Sequence, residues 1–196
     1  MPFDSTIISS VALGIALSAC CGFRVFVPLL AAALAGHFHW YQFASDMQWL
    51  GSMPAMVCFG TAALVEIAAY YFPFLDNILD AIAAPLAVMA GAVLAFAILP
   101  EGGGNQLLRW VAAIIAGGAT AGTIHAGTGL LRLFSTKATL GVGNPVVASG
   151  ENLLAVLGSL LSFIMPVIIA AILLLLAIWI GYKGLKRLAA GKPGEL

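Results

Sequence analysis

Four ionisable side chains interrupt apolar stretches of this sequence and are the first candidates for chemistry. They are Arg24, Glu66, His125 and Glu151, and a fifth, Asp80, stands near the edge of such a stretch. An arginine at the centre of a membrane helix costs about 2.5–3.5 kcal/mol on insertion scales, so it usually faces the protein interior and is paired. Arg24 therefore needs an acidic partner, and Glu66 and Glu151 both qualify. The group predicts either a polar site or pathway, or pairs that only hold helices together.

The composition around these residues requires a bilayer as the solvent. The chain is 62% hydrophobic and 8% charged, whereas soluble domains carry about 25% charged residues. So few charges cannot cover a water-facing surface, and we expect an integral membrane protein. Residues 1–6 contain no Lys or Arg, which argues against a secretory signal peptide. The net charge is zero and no basic stretch alternates with aromatic residues, so nucleic acid is not an expected partner.

Five apolar stretches reach the roughly 20 residues that a membrane-spanning helix needs. They are 7–36, 53–75, 78–99, 107–131 and 145–182. The first and last are too long for one crossing, so each must break, tilt or fold back. The expected break regions are "CCGFR", with Pro28 after it, in the first stretch and "GSLLSFIMP", which ends at Pro166, in the last, because proline interrupts a helix. The predicted fold is an all-α, polytopic transmembrane bundle of about five to six spans, forming one domain over residues 1–196.

Basic residues in short loops predict which ends of the helices face the cytoplasm. Arg132 and Lys137 precede the last stretch, and a basic tail over 183–196 follows it. Both lie inside only if 145–182 is a hairpin that turns near Ser162–Pro166. The loops 37–52 and 100–106 contain no Lys or Arg and are expected outside.

Two further segments carry candidate site residues. Asp76 and Asp80 are four residues apart and share a helical face, so the segment that contains them predicts a short interfacial helix with its acids at a cavity mouth. Further on, Asn144 is placed to cap a helix whose first position is Pro145. That helix start predicts either an anion-binding end, with Glu151 two turns further on, or only a well-capped start.

Small residues recur every four positions in two segments. One stripe contains Gly118, Gly122 and Ala126, and the other has Gly91 at its centre. Such stripes let helices approach closely, either within one chain or between copies in a homo-oligomer. His125, beside the first stripe, is expected to be hydrogen-bonded rather than a ligand of haem or metal.

Enzymatic motifs are missing from the sequence. The three cysteines have no metal-ligand spacing, and we expect no metal and no cofactor. There is neither a Walker loop nor an HExxH motif, so an ATP-driven pump is not expected and neither is an enzyme. An acid–base pair of Asp76 and Asp80 acting on a lipid is a distant alternative.

Three segments resemble an uncharacterised bacterial membrane family, the domain of unknown function 4126 family. They are "ALSACCGFRVFVPLL", "FPFLDNILDAIAAPLAVMAGAVL" and "LRLFSTKATLGVGNPVVASGEN", and the shared elements extend over about residues 16–180. The resemblance implies no activity. It does imply that certain residues belong to a family pattern: Arg24, Asp76, Asp80, Asn144, Pro145 and Glu151.

These observations favour a small transporter or channel of the bacterial inner membrane, multi-pass, with a cytoplasmic C-terminus. Its partners are the lipid bilayer, a small ion or solute and further copies of the chain. The expected site residues are Arg24, Glu66, Asn144, Glu151 and His125, with Asp76 and Asp80 at the cytoplasmic mouth. The alternative is a non-catalytic membrane scaffold or lipid-binding partner, whose buried charges only staple helices together.

Overall fold

The computed structural model describes residues 5–100 and 105–190, with side chains except at 73–78 and 187–190. Within these ranges the chain is helical and contains no strand. A 3₁₀-helix at Ser45–Gly51 precedes α3, and a π-helical turn at Ile114–Gly118 joins α5 to α6. The α-helices are α1 Ser5–Cys21, α2 Phe26–His37, α3 Met53–Ala69, α4 Pro73–Ile98, α5 Gln106–Ala113, α6 Ala119–Thr139, α7 Asn144–Ile164 and α8 Pro166–Ala190.

Four of the described helical segments are long and apolar enough to cross a membrane. The 3₁₀-helix and α3, bent by 58°, together form a fifth candidate span. The four are Leu79–Ile98, Gln106–Thr139, Asn144–Ile164 and Pro166–Lys186. Large apolar side chains point outward, among them Leu64 at 71% and Leu175 at 68% exposure. Such a surface fits contact with lipid tails, and the prediction of an all-α polytopic bundle is confirmed.

The first apolar stretch is a hairpin that enters the bundle and returns. Helices α1 and α2 contain 17 and 12 residues, about 26 and 18 Å at 1.5 Å per residue, which is less than the roughly 30 Å of hydrocarbon. Thr6 at the start of α1 lines the same cavity as Leu34 near the end of α2. The predicted break therefore lies at residues 22–25. Pro28 is not the break, because it lies in the first turn of α2, where proline is tolerated.

The last apolar stretch is also a hairpin. Helix α7 ends at Ile164 and α8 begins at Pro166. Helix α8 runs parallel to α1, since Pro166 at its start lines the same cavity as Thr6 at the start of α1, and Ala177 further along belongs to the same buried cluster as Phe23, just past the end of α1. Helix α7 runs the opposite way, with its end beside the start of α1. The turn predicted near Ser162–Pro166 is confirmed.

The helix ends define two faces of the bundle. Face A holds Thr6, Trp40, Asp46, Ile98, Arg109 and Ile164. Face B holds Tyr70, Asp80, Thr139 and Asn144, at the end of α3, the start of α4, the end of α6 and the start of α7. The segment expected as a separate interfacial helix is instead continuous with the following span, since α4 begins at Pro73 on face B.

The small-residue stripes pack helices within the chain. A Cβ added at Gly91 would lie 2.7 Å from the Cβ of Ala121 and 2.8 Å from the carbonyl oxygen of Gly117, and one added at Gly122 would lie 2.9 Å from Cγ2 of Val88. Helix α4 therefore packs so closely against the π-helical turn and α6 that there is no room for larger side chains at these glycines. The homo-oligomer stays a prediction.

Candidate functional site

The tip of the N-terminal hairpin is held by a glycine and a carboxylate. A Cβ added at Gly22 would lie 2.6 Å from both the Ala121 carbonyl oxygen and the Ile124 Cβ, so only glycine lets the tip approach α6 this closely. The backbone N–H groups of Val25 and Phe26 donate to the two carboxylate oxygens of Glu66, at 2.7 and 3.0 Å. Glu66 therefore binds N–H groups that the start of α2 cannot satisfy internally.

Arg24, in the same tip, pairs with Glu151. Arg24 is 1% exposed, and its Nη1 lies 2.9 Å from Glu151 Oε2. Its Nε donates to Asn152 Oδ1 at 2.5 Å, and Nη1 and Nη2 donate to the carbonyl oxygens of Phe23 and Ala148 at 3.2 and 3.3 Å. The choice that the sequence left open is thus resolved: Glu151 is the partner of Arg24.

A second buried arginine completes an ion-pair network. Arg132 of α6 is 2% exposed; its Nε lies 3.2 Å from Glu151 Oε1, and its Nη1 contacts Asp80 Oδ1. Glu151 thus bridges two arginines, and the four formal charges balance. We call Arg24, Arg132, Glu151 and Asp80 the tip network. Its most accessible member is Asp80, whose side chain is 24% exposed, whereas the other three are at most 4% exposed.

Tyr70 joins the tip network through its ring and its hydroxyl. The Cζ atoms of Arg24 and Arg132 lie 3.9 and 4.5 Å from the ring centroid, within cation–π range. The hydroxyl donates to Asp80 Oδ1 at 3.1 Å. Tyr70 is 2% exposed and is therefore buried together with the two arginines.

His125 ties the hairpin tip to α4. Its Nδ1 lies 3.3 Å from the Gly22 carbonyl oxygen and its Nε2 lies 3.4 Å from that of Asp80. Both partners are acceptors, so a neutral ring donates to one of them at a time and a protonated ring donates to both. The ring is buried and reaches Asp80 of the tip network through this backbone carbonyl.

Two other residues predicted from the sequence, Asn144 and Asp76, are not part of the tip network as the structure describes it. Asn144 is the first residue of α7, and Gly143 occupies the N-cap position, so the prediction that Asn144 caps this helix is wrong. Its side chain exchanges hydrogen bonds with Thr136, with 2.9 Å between Nδ2 and Oγ1, and it lies about 10 Å along the helix from Glu151. The side chain of Asp76 lies outside the described residues.

The tip network lies in the half of the bundle next to face B. Glu66 and Glu151 are each 13 residues from the face-A ends of α3 and α7, about 20 Å at 1.5 Å per residue. The hydrocarbon core of a bilayer is about 30 Å thick, so the two glutamates lie roughly two thirds of the way across it from face A. The hairpin therefore carries Arg24 past the centre of the bundle.

Sequence reasoning missed Arg132, Tyr70 and Asn152 as site residues. Arg132 was interpreted as a basic residue of a cytoplasmic loop, but it lies inside α6. One available signal was its spacing of seven from His125, two helical turns, which puts both on one helical face. Tyr70 carried no signal, since a tyrosine near a membrane surface is ordinary.

The fold and the site define a class of protein: an all-helical, polytopic membrane bundle with a re-entrant N-terminal hairpin and a buried ion-pair network at its tip. The family model described as domain of unknown function (DUF4126) matches residues 11–183, and the chain belongs to this family. The matched range contains the whole tip network. No curated protein and no solved structure matches the chain.

Proposed function

We propose that the protein is a small transporter or channel of the bacterial inner membrane that moves a small ion or solute through the tip network. The observation that carries the proposal is the position of this network, at the tip of a hairpin that turns inside the bundle. Irregular backbone at membrane depth is tolerated where protein buries it or where it lines an aqueous cavity. Transporters build substrate sites from such interrupted helices.

The free-energy cost of burying charges favours a functional site over a purely structural role for the tip network. Replacing a buried ion pair by apolar residues of similar volume is often neutral or stabilising, so stability alone does not call for two arginines and two acids in one place. The rival proposal, a scaffold with stapling charges, draws its support from the pairing of Arg24 with Glu151, Asn152 and two backbone carbonyls.

Features on both faces support access to the tip network. On face A, a cavity of about 620 Å³ lies between the hairpin and the α7–α8 turn, with Thr6, Ser9 and Ser10 in its wall. Between this cavity and Glu151, α7 carries the buried Ser162 and Ser159. On face B, the proposed access is through Asp80, the partly exposed member of the network.

The proposed orientation places face B in the cytoplasm. Lys137 ends α6 there, and Lys183 and Lys186 lie in the last turns of α8. Lys and Arg are enriched on the cytoplasmic side of membrane proteins. A C-terminal alkaline phosphatase fusion should be inactive and a C-terminal fluorescent-protein fusion should be bright; the reverse pattern would overturn the orientation.

The proposed homo-oligomer has one candidate contact in the described surface. A groove of about 420 Å³ between α6 and α8 is walled by small residues, among them Gly122, Ala126, Gly181 and Gly184. Small residues let a helix of a second copy approach closely. Crosslinking in native membranes tests this contact.

Ion flux in proteoliposomes tests the proposed function. Wild type would be reconstituted with potassium, sodium or chloride gradients, and flux followed with a pH-sensitive dye in the presence of a proton carrier. The proposal predicts movement of at least one ion, its loss in Glu151→Gln and its retention in Asp46→Asn, which alters a charge on face A. Flux equal to that of empty liposomes for every ion contradicts ion movement. Because Glu151→Gln also removes the counter-charge of two buried arginines, its flux is compared in folded protein, and Tyr70→Phe provides the gentler variant.

A further inference from the structure

A second cavity lies beside the tip network, on the outer side of α3. It has a volume of about 380 Å³ and is enclosed by the start of α2, by α3 and by α4. Its wall is mainly apolar, and its polar groups are Cys58, Thr61, Glu66 and Tyr70. A mostly apolar cavity of about 300–1,000 Å³ with a few placed polar groups is typical of small-molecule sites. We call it the α3–α4 groove.

The groove follows α3 and opens toward the surrounding lipid. Its wall runs from Cys58 to Tyr70, a distance of about 18 Å along the helix axis. Val65 and Ile82 line it and are 68% and 55% exposed. An opening flanked by exposed apolar side chains on a membrane-spanning face meets hydrocarbon rather than water, so the groove admits an extended apolar chain.

The polar end of the groove lies toward face B. Glu66 accepts hydrogen bonds there from the N–H groups of Val25 and Phe26. An ionised carboxylate has about four lone-pair sites and donates nothing, so Glu66, which is part of the groove wall, can accept further hydrogen bonds from a ligand that donates. A primary ammonium group donates hydrogen bonds and carries the complementary charge, whereas a quaternary ammonium group has no N–H.

We infer that the α3–α4 groove binds a bilayer lipid with a primary ammonium headgroup. The ammonium group lies at Glu66, in the half of the bundle next to face B, and one acyl chain runs along α3 toward Cys58. This site is independent of ion movement through the tip network, and Glu66 is the one residue that connects the two, because it also holds the hairpin tip.

Photocrosslinking tests the site. The full-length protein would be reconstituted in phosphatidylethanolamine–phosphatidylglycerol liposomes that contain a trace of lipid with a diazirine on the acyl chain, as either the ethanolamine or the choline form. Crosslinked residues would be mapped by mass spectrometry. Ala62 lines the groove, so Ala62→Trp fills it. The matched control is Leu64→Trp, because Leu64 is 71% exposed on the same helix and is not part of the groove wall.

We expect the ethanolamine probe to label groove residues of α3 and α4 in wild type and in Leu64→Trp. In Ala62→Trp this labelling should fall by about tenfold, the equivalent of 1.4 kcal/mol of binding. Equal labelling in Ala62→Trp and Leu64→Trp would overturn the site. Equal labelling by the ethanolamine and choline probes would overturn the role of Glu66.

A second measurement tests the site without Ala62→Trp, in case that variant does not fold. Cys58 is the exposed member of the three cysteines and lines the groove, so its rate of modification by N-ethylmaleimide reports occupancy in unmutated protein. The rate should be lower in phosphatidylethanolamine liposomes than in phosphatidylcholine liposomes. A rate independent of headgroup would contradict the inference even when the proposed transport is observed.

Discussion

Two arginines of this protein make the same kinds of contact in different surroundings. Arg24 lies 3.9 Å from the ring centroid of Tyr70 and 2.9 Å from Glu151. Arg109, on face A, lies 4.0 Å from the ring centroid of Phe96 and 3.5 Å from Asp46. Each pair thus combines an aromatic contact with a carboxylate.

The two arginine–carboxylate pairs differ in their exposure to water. The side chains of Arg24 and Glu151 are 0% and 4% exposed, whereas those of Arg109 and Asp46 are 14% and 33% exposed. An exposed pair contributes up to about 1 kcal/mol because water solvates its charges when they separate. Breaking a buried pair leaves an unsolvated charge and costs about 3–5 kcal/mol. We therefore expect the same contacts to contribute less to stability on face A than at the hairpin tip.

The largest effect is expected from Glu151→Gln, which neutralises the bridge between two buried arginines. The free energy of unfolding should fall by about 3–5 kcal/mol, since both guanidinium groups lose their shared counter-charge. Thermal unfolding in detergent, monitored by circular dichroism, measures the change. A shift as small as that of Asp46→Asn would show that the buried pair and the exposed pair are energetically alike.

The next effect tests the backbone contact that positions Arg24. Gly22→Ala should destabilise the protein by about 1–3 kcal/mol, because the added methyl group overlaps the Ala121 carbonyl and Ile124. The matched control is Gly129→Ala, where an added Cβ meets nothing within 4 Å. Unfolding midpoints that shift equally in the two variants would contradict the tight seating of the tip.

A smaller effect separates the tyrosine hydroxyl from its ring. Tyr70→Phe keeps the ring beside both arginines and removes the donor to Asp80, so it should cost about 1.5 kcal/mol for a hydrogen bond to a charged group. Tyr182→Phe is the control, because Tyr182 is 64% exposed and lies in α8. If Tyr182→Phe is the more harmful substitution in the same unfolding assay, Tyr70 has no special part in the network.

The smallest effect is expected on face A. Asp46→Asn weakens a partly exposed pair and should change stability by less than about 1 kcal/mol, with the residual effect reduced by salt. Unfolding at low and high ionic strength measures this. A loss of several kcal/mol would mean that the face-A pair is as demanding as the tip network.

Much of the fold could be predicted from composition and loop charge. The hairpin at Pro166 followed from the basic residues at both ends of 145–182, because two cytoplasmic ends require an even number of crossings between them. The break near Gly22 followed from a stretch too long for one span. These predictions depend on local chemistry and length, which the sequence contains directly.

The site could be predicted only in part. Arg24, Glu66, Glu151 and His125 were recognisable because charge inside an apolar stretch is costly. The pairing of Arg24 with Glu151 joins positions 127 residues apart, and only the packing of the hairpin tip against α7 decides it. The role of Glu66 depends on two backbone N–H groups, which side-chain identity does not reveal.

The most direct test of the central claim compares flux with folding in one variant. Tyr70→Phe leaves every charge of the tip network in place, so its flux and unfolding midpoint would be measured in parallel with those of Tyr182→Phe. If the network is a working site, Tyr70→Phe loses most of the wild-type flux while remaining folded, and Tyr182→Phe keeps it. If Tyr70→Phe moves ions as wild type does despite a lower unfolding midpoint, the network is a structural staple and the claim that ions pass through it is wrong.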